Sequence, residues 1–128
     1  MKYISKFNNK TFYFICLLLF SFSINQYYGY LGVYPIDTFL FFDSGYRVLN
    51  GHFPFKDFWV VTGPLLDLIQ AFFFKVFGVS WFSYVLHASF FNFLISIFTF
   101  FILIKFKLNI NLSFFYSLLV AIIAYPLA

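Results

Sequence analysis

The sequence predicts an all-α integral membrane protein, with about three transmembrane helices and two interfacial amphipathic helices in the first outer loop. Three observations predict it. The chain has 128 residues, 63% of them hydrophobic and only 9% charged, where soluble domains carry about 25% charged residues. A soluble core this small could not hide 25 Phe, so the solvent is lipid. The apolar residues gather in long runs, Phe12 to Val33 and Trp81 to Ile104. Finally, all four acidic residues, Asp37, Asp43, Asp57 and Asp67, fall between those runs, and Glu is absent. The Phe content also fits a plain compositional bias, since Ile, Asn and Lys are frequent too, so no single Phe is assigned a role by its abundance.

The net charge of +4 does not indicate nucleic acid. The cations form no basic stripe. Lys2, Lys6 and Lys10 precede the first apolar run, and Lys105 and Lys107 follow the second, which is a topology signal. Cys16 is the one cysteine and lies inside the first run. It suits a small apolar filler and carries no disulfide within the chain.

The first transmembrane segment is expected over residues 11–33. Asn25 and Gln26 weaken it, and Tyr27, Tyr28 and Tyr30 form an aromatic belt suited to an interface. The lysines before it predict a cytoplasmic N-terminus. A rival reading is a cleaved signal peptide, with a basic start, an apolar middle, and small residues at Ser21 and Ser23. Both readings place residues 34–79 on the extracytoplasmic side of the plasma (inner) membrane.

Within that loop Pro35 blocks continuation of the first helix. Asp37 can cap a new helix over 37–49, with Phe39, Phe42, Tyr46 and Leu49 on one apolar face. Asn50-Gly51 ends it as a left-handed cap. Phe53-Pro54-Phe55 reads as an extended connector. Gly63-Pro64 opens a helix over 64–77, with Asp67, Gln70 and Lys75 on a narrow polar arc. At 14 residues it is short for a span. An even number of crossings must also separate the two lysine groups, so 64–77 lies flat or re-enters.

The clearest span is 81–104, with Ser80 as N-cap. Ser89, Asn92, Ser96 and Thr99 form a polar stripe that suits packing against a neighbouring membrane helix. A further span covers 112–128. The run stops at Tyr125-Pro126-Leu127-Ala128 without flanking charge, as the N-terminal portion of a longer protein would.

Asp37 is the sharpest site candidate. A carboxylate at the membrane boundary is half desolvated, and that favours a proton-accepting role; the competing role is a helix N-cap. Asp43 precedes Arg47 by four, the favourable order for an ion pair. Asp57 reads as solvated or turn-forming, and Asp67 as a helix-dipole partner. Arg47, His52 and Lys56 form a loose basic set. Such cations meet lipid headgroups, or hold a phosphorylated lipid substrate. No metal-ligand spacing such as HExxH is present, nor a Walker loop, a GxGxxG, a GxSxG elbow or a Cys/His cluster.

In order along the chain stand Asp37, Tyr46-Arg47-Val48-Leu49-Asn50-Gly51, Pro54-Phe55-Lys56-Asp57-Phe58, Gly63-Pro64-Leu65 and Phe77-Gly78. This order resembles the N-terminal part of polytopic glycosyltransferases of the GT-C type, the superfamily of protein mannosyltransferases, aminoarabinose transferases and lipopolysaccharide sugar transferases. The resemblance covers about residues 10–105 and rests on order and spacing, since no single motif is specific. It implies transfer of a sugar from a polyprenyl-phosphate carrier to an acceptor on the outer face, with inversion. It implies Asp37 as base, or as a helper in holding a divalent metal in some members; the basic set would then supply the phosphate contacts, Arg47, Lys56 or His52. Two departures stand out. Many members carry two adjacent acids where this chain has Asp37-Thr38, and others have Pro-Pro where it has Gly63-Pro64. Family members are several times longer, so the fragment is expected to be inactive alone. A rival class is a small non-enzymatic membrane protein, such as a flippase-like or assembly subunit using the Ser89/Asn92/Ser96/Thr99 stripe as an oligomer seam. A ligase or acyltransferase acting on lipid carriers is a weaker third.

Overall fold

A computed structural model describes residues 2–32, 35–61 and 63–124, with the side chains of 2–9 and 35–37 excepted. Five α-helices follow one another: α1 (Lys2–Gly29), α2 (Pro35–Leu49), α3 (Pro64–Phe77), α4 (Trp81–Lys105) and α5 (Ile110–Ile123). The all-α class holds, and no strand occurs among the described residues. Among them, α4 is the one helix long and apolar enough to cross a membrane by length and composition. α1 has the length, at 28 residues, but Asn25, Gln26 and the following tyrosines dilute its apolar run.

The helix ends have local causes. α2 closes in a Schellman arrangement. The His52 N–H donates to the Arg47 carbonyl at 3.1 Å and the Gly51 N–H to the Val48 carbonyl at 3.0 Å. Gly51 takes φ 87° there, a left-handed value at which a Cβ is strained. α4 ends the same way, with the non-glycine Lys107 at φ 63° and the Leu108 N–H on the Leu103 carbonyl. α3 begins at Gly63 with proline in its first turn and ends at Gly78. Ser80 caps α4, its hydroxyl accepting from the Ser83 N–H at 3.2 Å. Asn109 caps α5 by accepting from the Asn111 N–H at 2.9 Å.

The described residues divide into two compact units. One combines α1 as far as Tyr27 with α4 from Ser89 onward and α5. Its core is Leu17, Phe93, Ile97 and Phe100, ringed by Tyr13, Phe22, Phe114 and Leu118. Tyr13 stacks on Phe114 at 4.6 Å between ring centres and donates to Asn111 Oδ1 at 2.6 Å. The stripe foreseen on the second span is interior: Ser89, Asn92 and Ser96 are buried, and Asn92 Nδ2 donates to the Ala121 carbonyl of α5 at 2.9 Å. Thr99 is less enclosed and donates to the Ile95 carbonyl.

The other unit runs from Tyr28 to Ala88, and in it α2 packs against α3. Their contact face mixes small and polar residues, Thr38, Ser44 and Gly45 from α2 with Asp67, Gln70 and Ala71 from α3, with one aromatic pair, Phe42 and Phe74, 4.9 Å between ring centres. Most of the large apolar side chains point outward, Phe39 and Tyr46 on α2 and Leu65, Leu68, Phe72 and Val76 on α3, while Phe73 and Phe74 are buried. The apolar face expected on α2 is therefore largely turned away from α3. The cause is close approach: a Cβ at Gly45 would stand 2.5 Å from Gln70 Cγ, so only glycine admits this contact.

Polarity is inverted in both units. Among the described residues thirteen polar or charged side chains are buried against ten hydrophobic ones, while dozens of large apolar side chains are exposed. Water-soluble proteins bury mainly apolar residues and expose only limited apolar patches.

Candidate functional site

Asp37 falls in the first turn of α2, since the helix begins at Pro35 rather than at the expected cap. Proline is well suited to that first turn. The Asp37 side chain lies outside the described residues.

The C-terminal end of α2 and the loop after it hold the three cations. Arg47 Nε donates to Asp43 Oδ2 at 2.6 Å, an exposed ion pair four residues apart. The Arg47 guanidinium also lies over the Phe58 ring, 5.6 Å from its centre. His52 and Lys56 are exposed on the connector. That connector is a tight loop and not an extended strand. Phe55 is left-handed at φ 66°. Its N–H donates to the Phe58 carbonyl at 2.8 Å, and the Asp57 N–H donates to the Phe53 carbonyl at 2.9 Å. The Asp57 carboxylate closes the loop by accepting from the Phe53 N–H at 2.7 Å. It acts as a turn-forming residue.

Spacing along α2 separates the expected base from the expected phosphate contacts. Asp37 and Arg47 are ten residues apart in one helix, about 15 Å along its axis. They also lie roughly 80° apart around it, from about 100° per residue. Arg47, His52 and Lys56 share one end of α2, and Asp37 belongs to the other.

Sequence reasoning did not find the buried polar cluster between α2, α3 and the start of α4. Asp67 is 1% exposed, and its Oδ1 lies 2.5 Å from the Ser44 hydroxyl. Its Oδ2 has no hydrogen-bond partner. Asp67 thus does more than answer the helix dipole: it ties α3 to α2. Gln70, also buried, accepts from the His87 ring Nδ1 at 2.6 Å through Oε1, while its Nε2 is unpartnered. The His87 ring stacks on Phe73 at 5.3 Å. The available signal was the i,i+3 spacing of Asp67 and Gln70, which puts both on one helix face. Lys75, placed on the same arc by sequence, is exposed instead.

Among the described residues no group of three or more His, Cys, Asp or Glu side chains could hold a metal ion. The arrangement offers a helix-terminal carboxylate, and separately a cationic, aromatic loop. No protein-family model, curated protein or solved structure matches the chain.

Proposed function

We propose that the chain is the N-terminal portion of an integral membrane glycosyltransferase that takes a sugar from a polyprenyl-phosphate carrier on the extracytoplasmic face. The observation that carries this reading is the inverted polarity of α2 and α3. Polar groups and the Phe42–Phe74 pair lie between the helices, and Phe39, Tyr46, Leu65, Leu68, Phe72 and Val76 face out, as two helices bathed in lipid should be arranged. Residues 35–77 then form a lipid-facing module directly after α1, with Asp37 where that module begins. Lipid-linked donors are presented at such a boundary.

In this reading Asp37 removes the proton of the acceptor hydroxyl as its oxygen attacks the anomeric carbon. The bond from that carbon to the carrier phosphate breaks, and the phosphate leaves with the electron pair. In this reading Arg47, His52 and Lys56 make headgroup or carrier contacts near the membrane surface, which the step of about 15 Å between Asp37 and Arg47 along α2 supports. A cation at the reacting centre then comes from elsewhere in a longer protein.

The test is transfer from a labelled polyprenyl-phosphate sugar by membranes carrying the full reading frame. Asp37→Asn keeps the side chain's shape and removes its basicity, so transfer should fall at least ~100-fold with expression unchanged. Retained turnover removes the assignment. Topology is tested separately. In a Cys16→Ser background, Asp43→Cys should react with a membrane-impermeant maleimide in intact cells. Labelling only after lysis would place the loop inside and end the proposed enzymology.

A further inference from the structure

We infer that the loop from Phe53 to Val61 is a wedge seated in the polar–apolar boundary of a phospholipid bilayer, an inference that rests on the membrane reading proposed above. A non-helical segment is normally barred from lipid because its backbone polar groups would go unpaired. This loop lowers that obstacle over its first turn. The N–H groups of Phe53, Phe55, Lys56 and Asp57 all donate within the loop, to Asp57 Oδ2, Phe58, Phe53 and Phe53 respectively, and Pro54 has no N–H. The Asp57 carboxylate is thereby spent on the backbone.

With the N–H groups of its first turn satisfied, the loop turns its apolar side chains outward. Phe53, Phe55 and Val61 are well exposed, and Trp59 is 74% exposed. Val60, between two of them, is buried and pins the loop to its unit. An exposed Trp and Phe set is costly in water and suits the interfacial belt. The charges match one occupant. Lys56 sits between Phe55 and Asp57 at the tip with no ion-pair partner among the described residues. A long lysine stem can lie along lipid while its ammonium reaches a phosphate. A protein partner would instead be expected to supply a carboxylate.

The test uses Trp59 as a depth gauge. The chain has two tryptophans, so Trp81→Phe leaves Trp59 as the sole tryptophan, excited selectively at the red edge where tyrosine does not absorb. The whole chain is reconstituted in mixed phosphatidylglycerol and phosphatidylcholine vesicles, and retention after carbonate washing confirms insertion. Lipids brominated high on the acyl chain should remove roughly half of the Trp59 emission or more, as at an interfacial belt. Lipids brominated near the chain end should quench less, and aqueous iodide only weakly. Strong iodide quenching without bromolipid quenching would place the loop in water and overturn the inference. Silence toward both would mean that protein covers the loop, which also overturns it. If Trp81→Phe fails to fold, Trp59→Cys in a Cys16→Ser background, labelled with a nitrobenzoxadiazole dye, gives the same reading by protection from dithionite. A carbonate-resistant chain with a wet loop sinks this inference alone. A chain stripped by carbonate sinks the membrane reading with it, and loss of transfer in Asp37→Asn bears on neither.

Discussion

The two units of the chain both hide polar side chains, but they satisfy them differently. In the unit of α1, α4 and α5, hydroxyls turn back onto their own helix. Ser96 donates to the Asn92 carbonyl, Ser113 to that of Asn109 and Ser117 to that of Ser113. Each bond spans four residues and would form wherever the helix went. In the unit of α2 and α3, Ser44 meets Asp67 across 23 residues and Gln70 meets His87 across 17. Those bonds exist only in one arrangement of the helices. The first pattern makes thin, quiet surfaces for close helix packing. The second specifies a geometry, although each unit also keeps buried polar atoms without a partner, Asn25 Oδ1 in the first and Asp67 Oδ2 in the second.

The contrast breaks most sharply at Gly45. A Cβ there would lie 2.5 Å from Gln70 Cγ and 2.9 Å from Gln70 Cβ. Gly45→Val should therefore cost about 3 kcal/mol or more by overpacking, and Gly45→Ala about 1–3 kcal/mol, read as loss of stability in mild detergent. Gln70→Ala removes the Cγ and should recover part of the Gly45→Ala penalty, a coupling of about 1 kcal/mol. Strictly additive effects would mean that the two helices do not meet there. Ser113 and Ser117 bond only within their own helix, so Ser113→Ala and Ser117→Ala should each change stability by under about 0.5 kcal/mol.

That contrast also marks what could be read from sequence. Helix boundaries were legible where a residue's own chemistry sets them: Gly63-Pro64, Asn50-Gly51, Gly78 and Ser80 each do the job their type suggests. α1 reaches back to Lys2 because hydrogen bonding along a helix does not stop where hydropathy does. The inward face of α2 was not legible. Its periodicity marks Phe39, Phe42, Tyr46 and Leu49 as one stripe but cannot say whether that stripe meets protein or lipid. The answer depends on the absent Cβ of Gly45 facing a residue 25 positions away. The long-range Asp67 and His87 contacts were hidden for the same reason. Of the expected site residues, the ion pair of Asp43 with Arg47 was readable because it is local to one helix. The distance separating Asp37 from the cations follows from the same helix geometry.

Asn92 sharpens the comparison from the other side, since its amide leaves its own helix. Asn92→Leu deletes its bond to the Ala121 carbonyl and should cost about 0.6 kcal/mol, the usual worth of such a bond between helices in lipid. The use of this face inside the chain also bears on the rival reading. A subunit assembled through Ser89, Asn92 and Ser96 needs those side chains at its surface, whereas here they are buried. Crosslinking of the detergent-solubilised chain should accordingly be unchanged by Asn92→Leu. A discrete homo-oligomer that dissociates on this substitution would restore the seam.

The smallest effect belongs to the most visible contact. Arg47 and Asp43 are both about half exposed, at 49% and 56%, so solvent screens them and their ordering costs side-chain entropy. Asp43→Asn should lower stability by about 0.3–0.5 kcal/mol, the range for exposed pairs four apart on a helix. Its informative consequence is on Arg47. Relieved of its partner, the guanidinium keeps its place over Phe58 and gains net charge to offer a phosphate. Binding of the chain to anionic vesicles should strengthen in Asp43→Asn and weaken in Arg47→Gln, and high salt should narrow the difference. If both substitutions leave binding unchanged, the basic end of α2 has no part in meeting lipid phosphate.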